Sequence, residues 1–393
     1  MPTGEHMKKS LFIFLITIFF ALCSHVALAA QTIKIGALYN MSGPMMSIDT
    51  PSLNGARLKA KLINGSGGLL NGRKIEILAL DTETNIDICA QKAAEILQFN
   101  IVAGIGYGDP AYVLPVAPLF QERGIPFVTP GATLPTLPKL IGDYMFMVPF
   151  GDDDQAYAIA DFTMRTLDAH KIAIWTNVDM DFTVTLAAYF KERALSHGGE
   201  IVLEDSFHSG DVDFSGQVAR LNASDAQAVF IASVPGEAGL TVKQIREAGL
   251  ALPIVSGDGF DTELVASVPG PDLANNVFFS THTFRGDHRA EVLDFINAYK
   301  QEYGREPESA FAALGFDAVG LIADALERAD SDDPRLLREA LARTRDYKGV
   351  TGIVNYTRDS GVPFKGVSII GVRNGQYTVE EIWYPAFPLV IQQ

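Results

Sequence analysis

The chain is 393 residues long, 48% hydrophobic and 20% charged, with a formal net charge of −16. That acidity argues against nucleic acid and anionic membrane surfaces as partners, since each is met by a basic patch. The length exceeds what one core serves, so two domains are expected.

At the N-terminus, Lys8 and Lys9 lead into an apolar run from Leu11 to Leu22, followed by small residues ending in Ala27-Leu28-Ala29. This order describes a secretory signal peptide cleaved after Ala29 or Ala30, with the periplasm as destination. The apolar run is well short of the ~20 residues that span a bilayer. Glu5 is out of place in such a leader, which leaves Met7 as an alternative start. Cys23 stands where a lipid-modified cysteine would, but Leu22 before it is not small, so lipid attachment is not expected. Loss of Lys8, Lys9 and Glu5 moves the formal charge from −16 to −17. Cys89 is then the only cysteine, so no internal disulfide is possible, and its apolar helical surroundings predict an inert buried thiol.

Beyond the leader, strands and helices alternate. Thr32 to Leu38 reads as a strand, Leu53 to Ile63 as a helix ended by Asn64-Gly65, and Lys74 to Leu80 as a strand after the Asn71-Gly72 turn. A helix over Ile86 to Phe99, a strand over Ile101 to Ile105, a helix over Tyr112 to Glu122 and a strand over Pro126 to Thr129 follow. A second series starts after Gly151, with Asp152 to Asp154 offering an N-cap to the first helix. Its strands are Lys171 to Trp175, Ile201 to Phe207, Ala228 to Ala232, Pro253 to Val255 and Val277 to Ser280. Helices near Thr183 to His197, Phe214 to Leu221, Ala238 to Ala248 and Asp261 to Ser267 lie between them. Three helices (Ala290 to Tyr303, Ala310 to Ala329, Leu336 to Arg343) precede final β-type segments at Val350 to Tyr356, Val367 to Val372 and Gln376 to Tyr384. Such alternation predicts parallel sheets covered on both faces, in two lobes that the chain visits more than once.

Certain short motifs stand in order along this frame: Ser42-Gly43-Pro44, Asn54-Gly55-Ala56-Arg57, Gly67-Gly68-Leu69-Leu70-Asn71-Gly72-Arg73, Pro126 through Thr133, Gly315-Phe316-Asp317-Ala318-Val319, Gly349-Val350-Thr351-Gly352 and Asp359-Ser360-Gly361. Together they resemble the type I periplasmic binding proteins of the branched-chain amino acid (leucine/isoleucine/valine-binding) group, the solute receptors of ATP-driven ABC importers. The resemblance implies an α/β fold of two Rossmann-like lobes joined by a three-strand hinge, with a ligand closed between them. Lobe 1 would comprise residues 30–148 and 284–350, and lobe 2 residues 149–283 and 351–393. The crossings would fall near Val148 to Gly151, Ser280 to Phe284 and Lys348 to Gly352.

In the amino-acid-binding relatives, the loop matching Gly131-Ala132-Thr133 holds the ligand's carboxylate and ammonium through a Thr hydroxyl and a backbone carbonyl. Gly131 and Thr133 keep both features, although a turn after a strand would use Pro130 and Gly131 too. The acid that meets the ammonium matches Asp258, within Ser256-Gly257-Asp258-Gly259, where an Asx-turn is the competing role. Two positions depart from the pattern. Pro110, which has no N–H, replaces a carboxylate-binding Ser, and Ile48 replaces an aromatic. Asp109 in Gly106-Tyr107-Gly108-Asp109 would repel a carboxylate and attract a cation. Asp49, Asp109, Asp152 and Asp258 together predict an acidic cleft, with Tyr39, Tyr107, Phe150 and Phe182 as apolar or cation–π contacts. For Asp152 a helix cap is the competing role. A small amino compound or amino acid derivative is the expected ligand.

Nothing in the sequence points to an enzyme: there is no G-x-S-x-G elbow or P-loop, and Gly104-Ile105-Gly106-Tyr107-Gly108 lacks the dinucleotide spacing. His282 and His288, six apart, fit no common zinc pattern and read as a solvent-facing loop. No cofactor or metal is expected. The partners expected are a small-molecule ligand and ABC permease subunits, with the receptor a monomer; a ligand sensor reporting to a membrane receptor is the alternative.

Overall fold

The computed structural model describes residues 32–283, 286–356 and 361–385. The leader and the Asp359-Ser360 part of the last motif lie outside them. In the first lobe β1 (Ile33–Tyr39), β2 (Ile75–Asp81), β3 (Ala103–Gly106), β4 (Phe127–Thr129) and β5 (Met145–Met147) form a parallel sheet in the order β2-β1-β3-β4-β5. In the second, β6 (Lys171–Asn177), β7 (Glu200–Phe207), β8 (Ala228–Ala232), β9 (Ile254–Ser256) and β10 (Val277–Thr281) are parallel. A short hairpin, β11 (Tyr347–Gly349) and β12 (Gly352–Val354), precedes β13 (Val367–Arg373) and β14 (Gln376–Trp383), which add antiparallel to β10. The second sheet thus reads β14-β13-β10-β9-β8-β6-β7. β3, β4, β8 and β10 are buried along their whole length, as continuous apolar strands covered on both faces must be. The edge strands β7 and β14 instead carry Glu200, Glu204 and Asp205, and Glu380 and Glu381, charges that discourage edge-to-edge pairing.

Several elements differ from expectation for local reasons. The helix expected at Leu53 begins at Met46 and runs through Pro51 to Gly65. The helix expected over Tyr112 to Glu122 is two, Pro110–Val113 and Ala117–Arg123, because Pro115 and Pro118 cannot donate to a continuous ladder. Helix Leu137–Ile141 and β5 had no clear sequence signal. Gly151, not an Asp, is the N-cap of helix Asp152–Arg165.

Helices Ala290–Tyr303, Ala310–Ala329 and Pro334–Ala342 all return to the first lobe. Helices Met46–Gly65 and Ala310–Ala329 cross at reciprocal glycines. A Cβ on Gly55 would stand 1.8 Å from the Ala312 carbonyl oxygen, and one on Gly315 would stand 1.9 Å from that of Ser52. This crossing accounts for two of the sequence motifs.

The third crossing lies later than the sequence placed it. Val354 and Tyr356 belong to the first lobe's core, the Tyr356 hydroxyl donates to the Met147 carbonyl, and Met147 N–H donates to Gly361. The chain re-enters the second lobe only at Lys365 to Val367. Asp317 anchors the turn before it, accepting from Val350 N–H and Thr351 N–H at 2.8 Å and from the Thr351 hydroxyl at 2.6 Å. Lys365 Nζ then ties Thr351 (2.6 Å) to the first crossing through the Val148 carbonyl (3.0 Å).

Gly315→Ala separates two competing effects. Helix propensity alone would favour Ala by up to about 1 kcal/mol. The overlap with the Ser52 backbone forces the helices apart, at a cost of about 1–3 kcal/mol. A net fall in melting temperature by circular dichroism is expected.

Candidate ligand-binding cleft

Both sheets turn the C-terminal ends of their parallel strands toward the seam between the lobes. From the first lobe, the segments after β1, β3 and β4 and the start of helix Ala310–Ala329 bring Met45, Ile48, Gly108, Asp109, Thr133 and Phe311. From the second, the segments after β6, β8 and β9 bring Phe182, Val234, Asp258 and Gly259. The cavity between them is about 10 Å³, room for roughly one water. The lobes are therefore closed on one another, and a solute of amino-acid size enters only if they part.

Loop shape is set by close backbone approach. Tyr107 holds φ +65°, a left-handed conformation uncommon outside glycine. A Cβ on Gly131 would stand 2.8 Å from Gly108 Cα and 3.1 Å from the Phe311 ring. Asp49 fixes this corner, accepting from Gly108 N–H and Asn40 N–H, both at 2.8 Å. Its carboxyl is nevertheless pushed up to about 7, burial outweighing the two amides. Asp109 caps helix Pro110–Val113 through Oδ1 and Ala111 N–H (2.8 Å). Burial, opposed by that amide and reinforced by Asp181 and Asp258 across the seam, raises it to about 6.

On the second lobe, the Asp258 N–H donates to Gln155 Oε1 (3.0 Å), and Gln155 Nε2 donates to Asp152 Oδ1 (2.9 Å). Asp152 N–H donates to the Thr133 carbonyl at 2.8 Å, joining the lobes. Burial raises the Asp152 carboxyl well above its usual range. Asp258 Oδ2 lies 3.0 Å from His282 Nε2, so the proton is assigned there; His282 Nδ1 has no partner among the described residues. Burial lowers the His282 pKa, against the pull of Asp258. Its ring stacks on Phe150, centroids 3.8 Å apart.

Of the ten residues selected from sequence, Asp109, Thr133, Phe182 and Asp258 line this cavity together, and Asp49 and Tyr39 lie behind it in the first lobe. The others lie outside its lining. Gly131 packs on Gly108, and Tyr107 is in the first core, stacked on Tyr112. Phe150 is in the second core, and Asp152 holds the Thr133 backbone. His282, read as a solvent-facing loop residue, is buried, whereas His288 is exposed. Among the described residues no cluster of three metal-ligating side chains occurs. Met45, Val234 and Phe311 carried no distinguishing pattern in the sequence. A larger cavity of about 410 Å³ borders the second and third crossings at Thr281, Thr283 and Val350. It contains none of the ten, and the convergence of strand ends favours the smaller one as the site.

Comparison with known proteins agrees with this geometry. Residues 32–376 match the periplasmic binding protein family model. The chain is 26% identical over 340 residues to Leu/Ile/Val-binding protein homolog 3 of Brucella melitensis, covering 86% of this chain and 91% of that one. It is 28% identical over 323 residues to an amino acid binding protein of Pseudomonas aeruginosa, covering 80% and 83%. Among solved structures, the branched-chain amino acid transporter substrate binding protein LivJ of Streptococcus pneumoniae, in complex with isoleucine, superposes with a TM-score of 0.84 at 30% identity, over 90% of this chain and 100% of that one. The leucine binding protein LivK of Thermotoga maritima gives 0.82 at 30%, over 90% and 99%. The fold is that of a two-lobed periplasmic binding protein. The chain belongs to the leucine/isoleucine/valine-binding family of type I periplasmic binding proteins.

The buried acids set a pH dependence. A carboxyl in the unfolded chain titrates near 4, whereas Asp49 and Asp109 hold their protons to about 7 and 6, and Asp152 is also raised. Between those values the folded chain binds more protons than the unfolded one, so stability falls as pH rises through about 7. His282 acts in the opposite sense, as one base against three acids. The ligand-free protein is expected to melt at a higher temperature at about pH 5.5 than at pH 8.

Proposed function

We propose that the protein captures a small amino-acid-like or amine-containing solute outside the cytoplasm, as a monomer, and delivers it to the permease of an ABC importer. The observation that carries this reading is the meeting, at strand ends of two lobes, of an acid from each, Asp109 and Asp258, with Thr133 and Phe182. An ammonium suits the acids, and the rings of Phe182 and Phe311 suit an apolar body. In the closed form Asp109 faces Asp181 and Asp258 of the other lobe. A cation between them offsets that repulsion, so binding favours closure.

On this reading Asp258 meets the cation, with Thr133 and the Gly131 carbonyl at its polar end, while Asp152, Phe150 and Tyr107 hold those groups in place. Export follows cleavage near Ala29. Family relatives are solute-binding proteins, and no chemistry on the solute is proposed.

Thermal unfolding against a panel of amines, amino acids and small carboxylates tests the reading. A ligand at a hundredfold its Kd stabilises by about 2.7 kcal/mol. Asp258→Ala is expected to cost about 2–5 kcal/mol of binding and Thr133→Ala about 1, with far-UV circular dichroism unchanged. Turnover of any panel member without stabilisation refutes the proposal.

A further inference from the structure

An amino acid needs donors for its carboxylate as well as acceptors for its ammonium. Among the described lining residues the only side-chain donor is the Thr133 hydroxyl, which is drawn toward the Asp152 carboxyl, and several backbone donors nearby are already engaged. Gly108 N–H is held by Asp49 and Ala111 N–H by Asp109. Pro110 has no N–H. Ala132 N–H and, more weakly, Gly131 N–H point at the Thr129 hydroxyl (3.1 and 3.5 Å), and Asp258 N–H is held by Gln155. Neither Lys nor Arg lines the cavity among the described residues. Lys365, buried behind it, is engaged by Val148 and Thr351.

The acceptors are in the reverse condition. Asp109 uses only Oδ1, and Asp258 only Oδ2, in hydrogen bonds with described residues. One carboxylate oxygen on each lobe is thus left at a cavity otherwise walled by Met45, Ile48, Phe182, Val234 and Phe311. A carboxylate placed beside Asp109 would meet a like charge with no amide to compensate it.

Resting on the capture function proposed above, we infer that the solute is a carboxylate-free organic cation, an amine with an apolar body, held between Asp109 of one lobe and Asp258 of the other. The Asp258 carboxylate is oriented for this by His282, whose ring is fixed on Phe150. Asp109 takes the place of a carboxylate-binding group and inverts the preference of that end of the cleft.

Matched triads provide the test, using the ligand-stripped, refolded full mature chain in isothermal titration calorimetry. One triad is leucine, 3-methylbutylamine and 4-methylpentanoate; the other is phenylalanine, 2-phenylethylamine and 3-phenylpropanoate. The amine of at least one triad is expected to bind about tenfold or more tighter than its amino acid, and the acids not at all. An amino acid that matches or beats its amine overturns the inference and leaves solute capture standing. Binding of an acid alone overturns both, and silence of all six probes overturns the amine class. Asp109→Asn keeps the helix cap, since Asn caps as well as Asp, and removes the charge. Loss of about tenfold in amine affinity is expected, with a melting temperature at neutral pH no lower than that of the unsubstituted chain, since a buried charge facing other acids is removed; unchanged affinity overturns the role of Asp109.

Discussion

Burial of acidic groups at the seam is the constraint on which this molecule turns. Asp49, Asp109, Asp152 and Asp258 are all withdrawn from water, and none has a Lys or Arg partner among the described residues. Each is instead managed by neutral groups: backbone amides for Asp49 and Asp109, the Gln155 amide for Asp152, an imidazole for Asp258. Dipoles orient a carboxylate but do not cancel its charge, so the closed lobes keep a standing repulsion between Asp109 and the acids opposite. The rest of the cleft answers to that fact. Its walls are apolar, which sharpens the field, and its hinge is stiffened by hydrogen bonds that do not touch the acids.

The hinge shows how that separation is built. Asp317 spends three acceptor contacts on Val350 and Thr351, and Lys365 joins Thr351 to the first crossing. Burial pulls Lys365 down to about 8, so its charge is retained at neutral pH. Among the described residues, the buried ammonium of Lys365 thus serves the crossings and leaves the acids of the cleft uncompensated.

Much of the frame was legible because burial on both faces leaves a plain mark. Strand Ala228–Ala232 and helices Ala290–Tyr303 and Ala310–Ala329 have the bounds that their apolar runs predict. The misreadings have physical causes. Helix Met46–Gly65 starts early because Asp49 is held by Asn40 and Gly108, a contact no periodicity encodes. The third crossing shifted because Tyr356 and Gly361 pair with β5, a strand too short to announce itself. Within the site, loops that end strands delivered Asp109, Thr133 and Asp258 together. Phe150 and Tyr107 went to the cores, since an aromatic after a strand reads the same whether it faces solvent or protein. His282 looked exposed because polarity suggests a loop, while its burial depends on the Phe150 ring of the first crossing and on Asp258 after strand β9.

The crossing of helices Met46–Gly65 and Ala310–Ala329 has a kinetic side. The first lobe cannot finish its core until a segment some 250 residues further along the chain has arrived, and the second lobe intervenes. Contacts so distant in sequence make closure of the native topology slow.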